Sequence, residues 1–276
     1  MRDFNAPRLF VTADLPGPVA FDQRQVNYLR NVLRLKPGDA IRVFNGRDGE
    51  WRADIDVLGK KDGSARAEVQ LGSQTPLPDL WYAFAPLKQA RLDYMVEKAT
   101  EMGAGRLVPV LTQHTQVRRI NTERLRANII EACEQCGIVA VPEIVEPVAL
   151  RDFLGGLDRT LVVADEALAG EAGDPVATIR DATIRDATLR DATIRDATLR
   201  DATIRDATIR DATVHDAAVH DVMGPLAVLV GPEGGFSQEE RALFTPRAVR
   251  VSLGPRVLRA DTAAVALLAL VEAARH

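Results

Sequence analysis

Cysteine and histidine are scarce in this 276-residue chain and positive charge is not in excess, and each shortage removes a class of function. Two cysteines cannot build the disulfide framework of a small secreted domain. Cys133 and Cys136 do form a C-x-x-C, but a redox pair needs a helix N-terminus to lower a thiol pKa. This pair instead falls at the end of a helical stretch closed by Gly137. Zinc would need two more ligands, and His114, His215, His220 and His276 form no partner motif, so the pair reads as helix packing and no metal is expected. No apolar run approaches the roughly 18 residues of a membrane span, and Met1-Arg2-Asp3-Phe4-Asn5 lacks the apolar stretch of a signal peptide. The expected location is the cytoplasm, with no membrane partner. The net charge of −4 exerts no global pull on nucleic acid, so any such contact must come from local basic patches.

What is present divides into two textures. Residues 1–72 read as a small strand-rich domain. Asp22 and Gln25 are spaced as a capping box, and Val26, Leu29 and Leu33 share a helical face that ends at Lys36-Pro37-Gly38-Asp39. Residues 40–44, 51–57 and 65–71 then alternate apolar with polar around the Asn45-Gly46 and Gly59–Gly63 turns, the pattern of a half-buried antiparallel sheet closing into a small barrel. Residues 74–78, with two prolines, read as a stiff linker. Residues 76–276 read as an α/β domain with a mostly parallel sheet. Its strands are expected at 81–85, 107–111, 161–164 and 226–230, and its helices include one ending at Gly103 and one over 122–136. The polar face of the latter, with Glu131, Glu134 and Gln135, suits a dimer or RNA contact.

Nine pentads fill Ala177–Asp221: seven of the form Ala-Thr-(Ile/Leu)-Arg-Asp, then Ala-Thr-Val-His-Asp and Ala-Ala-Val-His-Asp. A five-residue period spirals around a helix and flips face in a strand, so neither element buries it as a stripe. The array resembles the pentapeptide-repeat family, whose chain turns a corner every five residues. The other reading is an expanded polar loop, and as an insertion the array is expected to be dispensable.

The most specific chemistry lies near the C-terminus. An apolar strand leads into Gly231-Pro232-Glu233-Gly234-Gly235-Phe236, with Ser237 and Glu240 spaced as a capping box. Three glycines at a strand-to-helix turn allow close approach of a ligand to the backbone. The turn is neither a phosphate-cradling G-x-x-x-x-G-K-[ST] nor a dinucleotide-binding G-x-G-x-x-G, which weighs against a nucleotide hydrolase and a Rossmann-type oxidoreductase. A second turn, Ser252–Thr262, joins another apolar strand to an apolar C-terminal helix.

Four motifs together resemble the ribosomal RNA small subunit methyltransferase E family, of the SPOUT class, over almost the whole chain. They are Arg34-Leu35-Lys36-Pro37-Gly38-Asp39; Glu97-Lys98-Ala99-Thr100-Glu101-Met102-Gly103; Glu131–Gly137 with Val141-Pro142-Glu143-Ile144; and the two glycine turns. The resemblance implies a PUA-like N-terminal barrel, a trefoil-knotted α/β domain, a homodimer, and S-adenosyl-L-methionine as cofactor. It further implies N3-methylation of a uridine in the decoding region of 16S ribosomal RNA within the small ribosomal subunit. Carried onto these positions, Leu229, Val230, Gly231, Gly234, Gly235, Leu253, Gly254, Val257 and Leu258 would line the cofactor pocket. Two departures stand out: Ile138 replaces an arginine common in relatives, and Asp261 replaces a glutamate.

Methylating uracil N3 requires removal of a weakly acidic proton and stabilisation of the resulting anion. Arg259 suits the second task, and Asp261 or Glu233 the first, although each carboxylate could equally be a cap or an ion-pair partner. Arg118, Arg119 and Arg124, with Arg30 and Arg34 of the basic N-terminal segment, are the candidate RNA contacts. The competing function is a catalytically silent RNA-binding or ribosome-assembly protein of the same fold.

Overall fold

The structure is a computed structural model and describes residues 6–171, 173–185 and 224–275. The chain begins with β1 (Arg8–Phe10), β2 (Gly17–Ala20), α1 (Gln23–Asn27) with a π-helical turn after it, β3 (Ala40–Phe44), β4 (Glu50–Leu58) and β5 (Gly63–Gly72). Next come β6 (Leu80–Phe84), α2 (Gln89–Glu101), β7 (Arg106–Leu111), α3 (Thr122–Cys136), β8 (Glu143–Ile144), β9 (Val148–Ala149), α4 (Leu150–Gly155) and β10 (Thr160–Ala164). Helix α5 is described over 175–185. The chain closes with β11 (Leu226–Val230), α6 (Gln238–Phe244), β12 (Ala248–Val251) and α7 (Ala260–Arg275). Contacts group these residues into two compact units. One draws on the chain up to Pro78 with Val96–Gly105 and Asn121–Ile144; the other takes Asp79–Met95, Arg106–Ile120 and the residues from Val145 onward.

In the first unit five strands follow the order β1-β3-β4-β5-β2, and register shifts along the β4–β5 ladder bend them around a core that includes Leu9, Val19, Ile41, Val43, Ile55 and Ala65. The Asp22–Gln25 capping box forms as its spacing predicts. Lys36–Asp39 is a self-contained turn: the Asp39 carboxylate accepts the Lys36 N–H at 2.7 Å, and the Gly38 N–H reaches the Ile55 carbonyl.

The same unit contains α3, where Glu131 and Gln135 are exposed on the polar face and the outward reading needs correction only at Glu134. Glu134 accepts the Phe10 N–H at 2.8 Å, so it stitches the helix to β1. Arg8 is 7% exposed, and its guanidinium donates to the carbonyls of Cys133, Glu134 and Ile138 while pairing with Glu50. A cation at these last-turn carbonyls also suits the negative end of the helix dipole. Burial raises the Cys133 thiol to about 12, which makes it a packing residue and a poor thiolate.

The second unit holds a parallel sheet in the order β12-β10-β11-β6-β7, with β9 also paired to β7. Its central strands β10, β11 and β6 are almost wholly apolar because both faces are covered. Ala83, Val163, Ala227 and Leu229 meet Phe153 and Leu154 of α4 and Phe244 of α6, while α7 also packs on β11. Among the described residues no helix is long and apolar enough to cross a membrane.

Adjacent parallel strands β10 and β11 need a crossover, and α5 lies in that connection. Asp174 caps it, accepting the N–H groups of Val176 and Ala177, and Pro175 occupies its first turn. The first nine residues of the pentad array, 177–185, are therefore helical, where the sequence suggested a coil or a loop. Ile179 is buried and Ile184 is exposed, as a five-residue spacing on a helix requires, and Arg180 donates to the carbonyls of Ala273 and Ala274 at the end of α7. The expectation of dispensability does not extend to these residues. The readings made for 186–221 lie outside the described residues.

Two isoleucines one pentad apart should thus differ in value. Ile179→Ala is expected to cost about 2–4 kcal/mol by leaving a cavity, and Ile184→Ala less than about 1 kcal/mol, measured as a pair by urea unfolding.

Candidate functional site

The carboxyl ends of β10, β11 and β12 open into a cleft of about 570 Å³. After β10 the chain moves to β11 on one side and then returns past β10 to β12 on the other, the reversal of direction at which open α/β sheets place ligands. Ala164, Val230, Leu253, Val257, Leu258, Ala260 and Ala263 supply an apolar lining, and Asp165, Glu166 and Glu233 supply carboxylates.

A buried charge cluster holds the rim. The Asp165 side chain is fully buried and accepts from Arg250 Nε at 2.7 Å, Arg241 Nε at 3.3 Å and the Ala167 N–H at 3.0 Å. Burial pushes its carboxyl upward, but the Ala167 hydrogen bond and the two guanidiniums outweigh that and hold it below the usual aspartate value. Arg241 also pairs with Glu166 and donates to the Phe236 carbonyl. The strand end of β10, helix α6 and strand β12 are thereby tied through one carboxylate.

The glycines of the first turn also make room for neighbouring side chains. A Cβ on Gly231 would lie 2.9 Å from the Phe236 ring, one on Gly234 would lie 3.1 Å from His114 Cβ, and one on Gly235 would strike the Glu166 carboxylate. These three admit the protein's own side chains. Gly254 is the open one: with φ +103° and no described atom within 4 Å of a Cβ, it offers bare backbone to the cleft.

Of the residues that the resemblance assigned to a cofactor, Val230, Gly231, Gly235, Leu253, Gly254, Val257 and Leu258 come together around the cleft. Leu229 points instead into the core beneath α4 and α6, as strand alternation dictates, and Gly234 backs onto His114, whose Nδ1 lies 3.0 Å from the Gly235 carbonyl. Glu233 lines the cleft, while Arg259 is exposed just before α7 and is not among the lining residues, where Arg256 is. Asp261, in the first turn of α7, lies 3.9 Å from Arg91 Nε, and the same guanidinium donates to Glu233 at 3.2 Å. Sequence reasoning missed Arg91, Asp165, Glu166 and Arg241. Only Asp165 carried a local signal, a charge placed directly after an apolar strand. Of the RNA candidates, Arg34, Arg118 and Arg119 are exposed, and Arg30 and Arg124 are half-buried.

Comparison with known proteins follows the same two textures. A family model described as an RNA methyltransferase domain matches residues 73–189 and 196–272, and one described as an RNA methyltransferase PUA domain matches residues 21–68. Ribosomal RNA small subunit methyltransferase E of Rickettsia conorii is 31% identical over 248 residues, covering 89% of this chain and 85% of that protein. A methyltransferase of Legionella pneumophila, solved in complex with bound S-adenosylmethionine, is 26% identical with a TM-score of 0.73 over 98% of both chains. The fold is shared with ribosomal RNA small subunit methyltransferase E of Neisseria gonorrhoeae, at 24% identity and a TM-score of 0.72 over 97% of both chains.

The Asp165 cluster sets a pH signature. Asp165→Asn is expected to cost about 3 kcal/mol at pH 7, because it leaves two guanidiniums facing a neutral amide. The folded pKa of Asp165 is depressed, so its stabilisation is complete above the ordinary aspartate range and is lost as pH falls through the folded value. The gap between wild type and variant, followed by urea unfolding from pH 7 down to pH 3, should narrow below about pH 4.

Proposed function

Because the chain belongs to the ribosomal RNA small subunit methyltransferase E family, we propose that it transfers a methyl group from S-adenosyl-L-methionine to N3 of a uridine in the decoding region of 16S ribosomal RNA, acting on the small ribosomal subunit in the cytoplasm. The cleft at the carboxyl edge of the sheet carries this reading. Its apolar lining, its carboxylates and the bare backbone at Gly254 fit a molecule with a flat apolar base, hydroxyls and positive charge. When bound, that cofactor supplies an electrophilic methyl group on a positively charged sulfur.

The protein's own groups would do the rest. Ala164, Val230, Leu253, Val257 and Leu258 would pack the base and exclude water, while backbone groups at Gly231, Gly235 and Gly254 would fix its orientation. Glu233 or Asp261 would take the N3 proton, and Arg259 would neutralise the charge that builds on a uracil oxygen. N3 lies on the Watson-Crick edge, so the target uridine must be unpaired or turned out to reach these groups. Arg30, Arg34, Arg118, Arg119 and Arg124 would hold RNA phosphates. The family resemblance extends the proposal to a homodimer.

Calorimetry with the cofactor and nucleoside analysis of small-subunit RNA from a deletion strain test the reading together. Cofactor binding with an unchanged nucleoside profile would favour the silent RNA-binding alternative. Gly254→Val is expected to weaken cofactor affinity by at least about 30-fold, since a branched side chain would enter the cleft from a backbone angle that only glycine adopts readily. Arg259→Ala should leave that affinity within several-fold while lowering the methylation rate by about 100-fold or more, the scale of a lost charge stabiliser. Equal losses in affinity and rate would make Arg259 a cofactor or structural residue instead.

A further inference from the structure

Two carboxylates at the cleft share a single cation. Arg91, in the first turn of α2, donates from Nη1 to Glu233 Oε1 at 3.2 Å, and its Nε lies 3.9 Å from Asp261 Oδ2. The two acids are not equivalent. Asp261 sits in the first turn of a 16-residue helix, at the positive end of its dipole, and its Oδ1 accepts the Thr262 N–H at 2.9 Å. It is also the more enclosed, at 18% side-chain exposure against 32% for Glu233. Glu233 has no such support from a helix end, and it is the one of the two that lines the cleft. The other cleft carboxylates are committed: Asp165 to Arg241 and Arg250, and Glu166 to Arg241.

We propose that Arg91 is a positioning residue, anchored by Asp261, that holds Glu233 at the cleft edge, and that Glu233 is the group that accepts the uracil N3 proton. The proposal rests on the methyl-transfer reading and decides between the two acids that the reading leaves open. Arg91 faces both carboxylates, so its ion pair with Asp261 remains when Glu233 takes up a proton. The N3–H bond breaks as its proton goes to a Glu233 oxygen. The nitrogen's electron pair forms the bond to the methyl carbon, the carbon–sulfur pair stays on sulfur, and Glu233 later gives its proton to solvent.

The charged or titratable groups around Glu233 come from several elements: Arg91 from α2, Asp261 from α7, Asp165 and Glu166 from the turn after β10, and Arg256 from the turn after β12. Beneath them, on β6, the Tyr82 hydroxyl is fully buried and has no hydrogen-bond partner among the described residues. Burial, and secondarily the negative charge of Asp261, push its pKa well above the ordinary tyrosine value, so it stays a neutral hydroxyl and does not compete for the proton.

The test uses the full chain with small ribosomal subunits from a strain lacking the enzyme, radiolabelled cofactor, and Glu233→Gln, Arg91→Met and Arg91→Lys variants. Glu233→Gln should lower kcat about 100-fold with cofactor affinity within several-fold, and Arg91→Met about 10-fold with the acid limb of kcat/KM moved to higher pH; Arg91→Lys should recover most of the rate. A Glu233→Gln variant that turns over within threefold of wild type overturns the proton acceptor, and an Arg91→Met variant whose pH profile is unmoved overturns the positioning role. A wild-type protein that binds cofactor and methylates no small-subunit RNA overturns the methyl-transfer reading, and Glu233 as proton acceptor with it.

Discussion

A single buried carboxylate holds the site in shape. Asp165 directly follows β10, and its two oxygens receive guanidiniums from α6 and from β12 while the chain's own Ala167 N–H closes the turn. Burying a carboxylate is unfavourable unless its charge and lone pairs are met, and here they are met by groups from three separate elements. Those elements bring with them the cleft's lining: Ala164 and Glu166 from one, the turn that carries Glu233 from the second, and Leu253 to Leu258 from the third. Removing one partner would leave a charge stranded in the sheet edge, so the three loops keep their mutual positions.

The first unit solves a comparable problem with an arginine. Arg8 is buried against the last carbonyls of α3, the Glu50 carboxylate and the Phe44 ring, 4.5 Å from its centroid. Arg42 lies 3.7 Å from the same glutamate. Two of the cations that make this part of the sequence basic are therefore spent inside it. A surface for RNA must be drawn from the exposed remainder, Arg34 among them, and not from the charge count as a whole.

The crossover between β10 and β11 shows how a local rule can be right and its conclusion wrong. A five-residue spacing does spread apolar residues around a helix, and Ile179 and Ile184 fall on different sides of α5 accordingly. The helix forms all the same, because it needs only one anchored turn. Asp174 and Pro175 start it, Ile179 and Thr183 bury one face, and Arg180 fastens it to the end of α7. Amphipathic periodicity is one way to hold a helix in place, and a topological requirement with a few good contacts is another.

Alternation, apolar runs and capping boxes were enough for the sequence to determine the strands β3 to β7, β10 and β11, the helix over 122–136, and the starts of α1 and α6, since each depends on neighbours within a few residues. Motif spacing likewise marked the two turns that flank the cleft. Short elements such as β1, β2, β8, β9 and α4 carry too few residues for a period to show, and they exist because a partner strand or helix completes them. The roles within the turns were also beyond reach of the sequence. That three of the glycines make room for Phe236, His114 and Glu166, that Gly254 alone of the four faces open space, and that Leu229 turns away from the cleft are facts about which atoms lie opposite across the fold. The meeting of Arg91 with Glu233 and Asp261 joins residues up to 170 positions apart, and no local pattern encodes a contact that only the folding of the sheet creates.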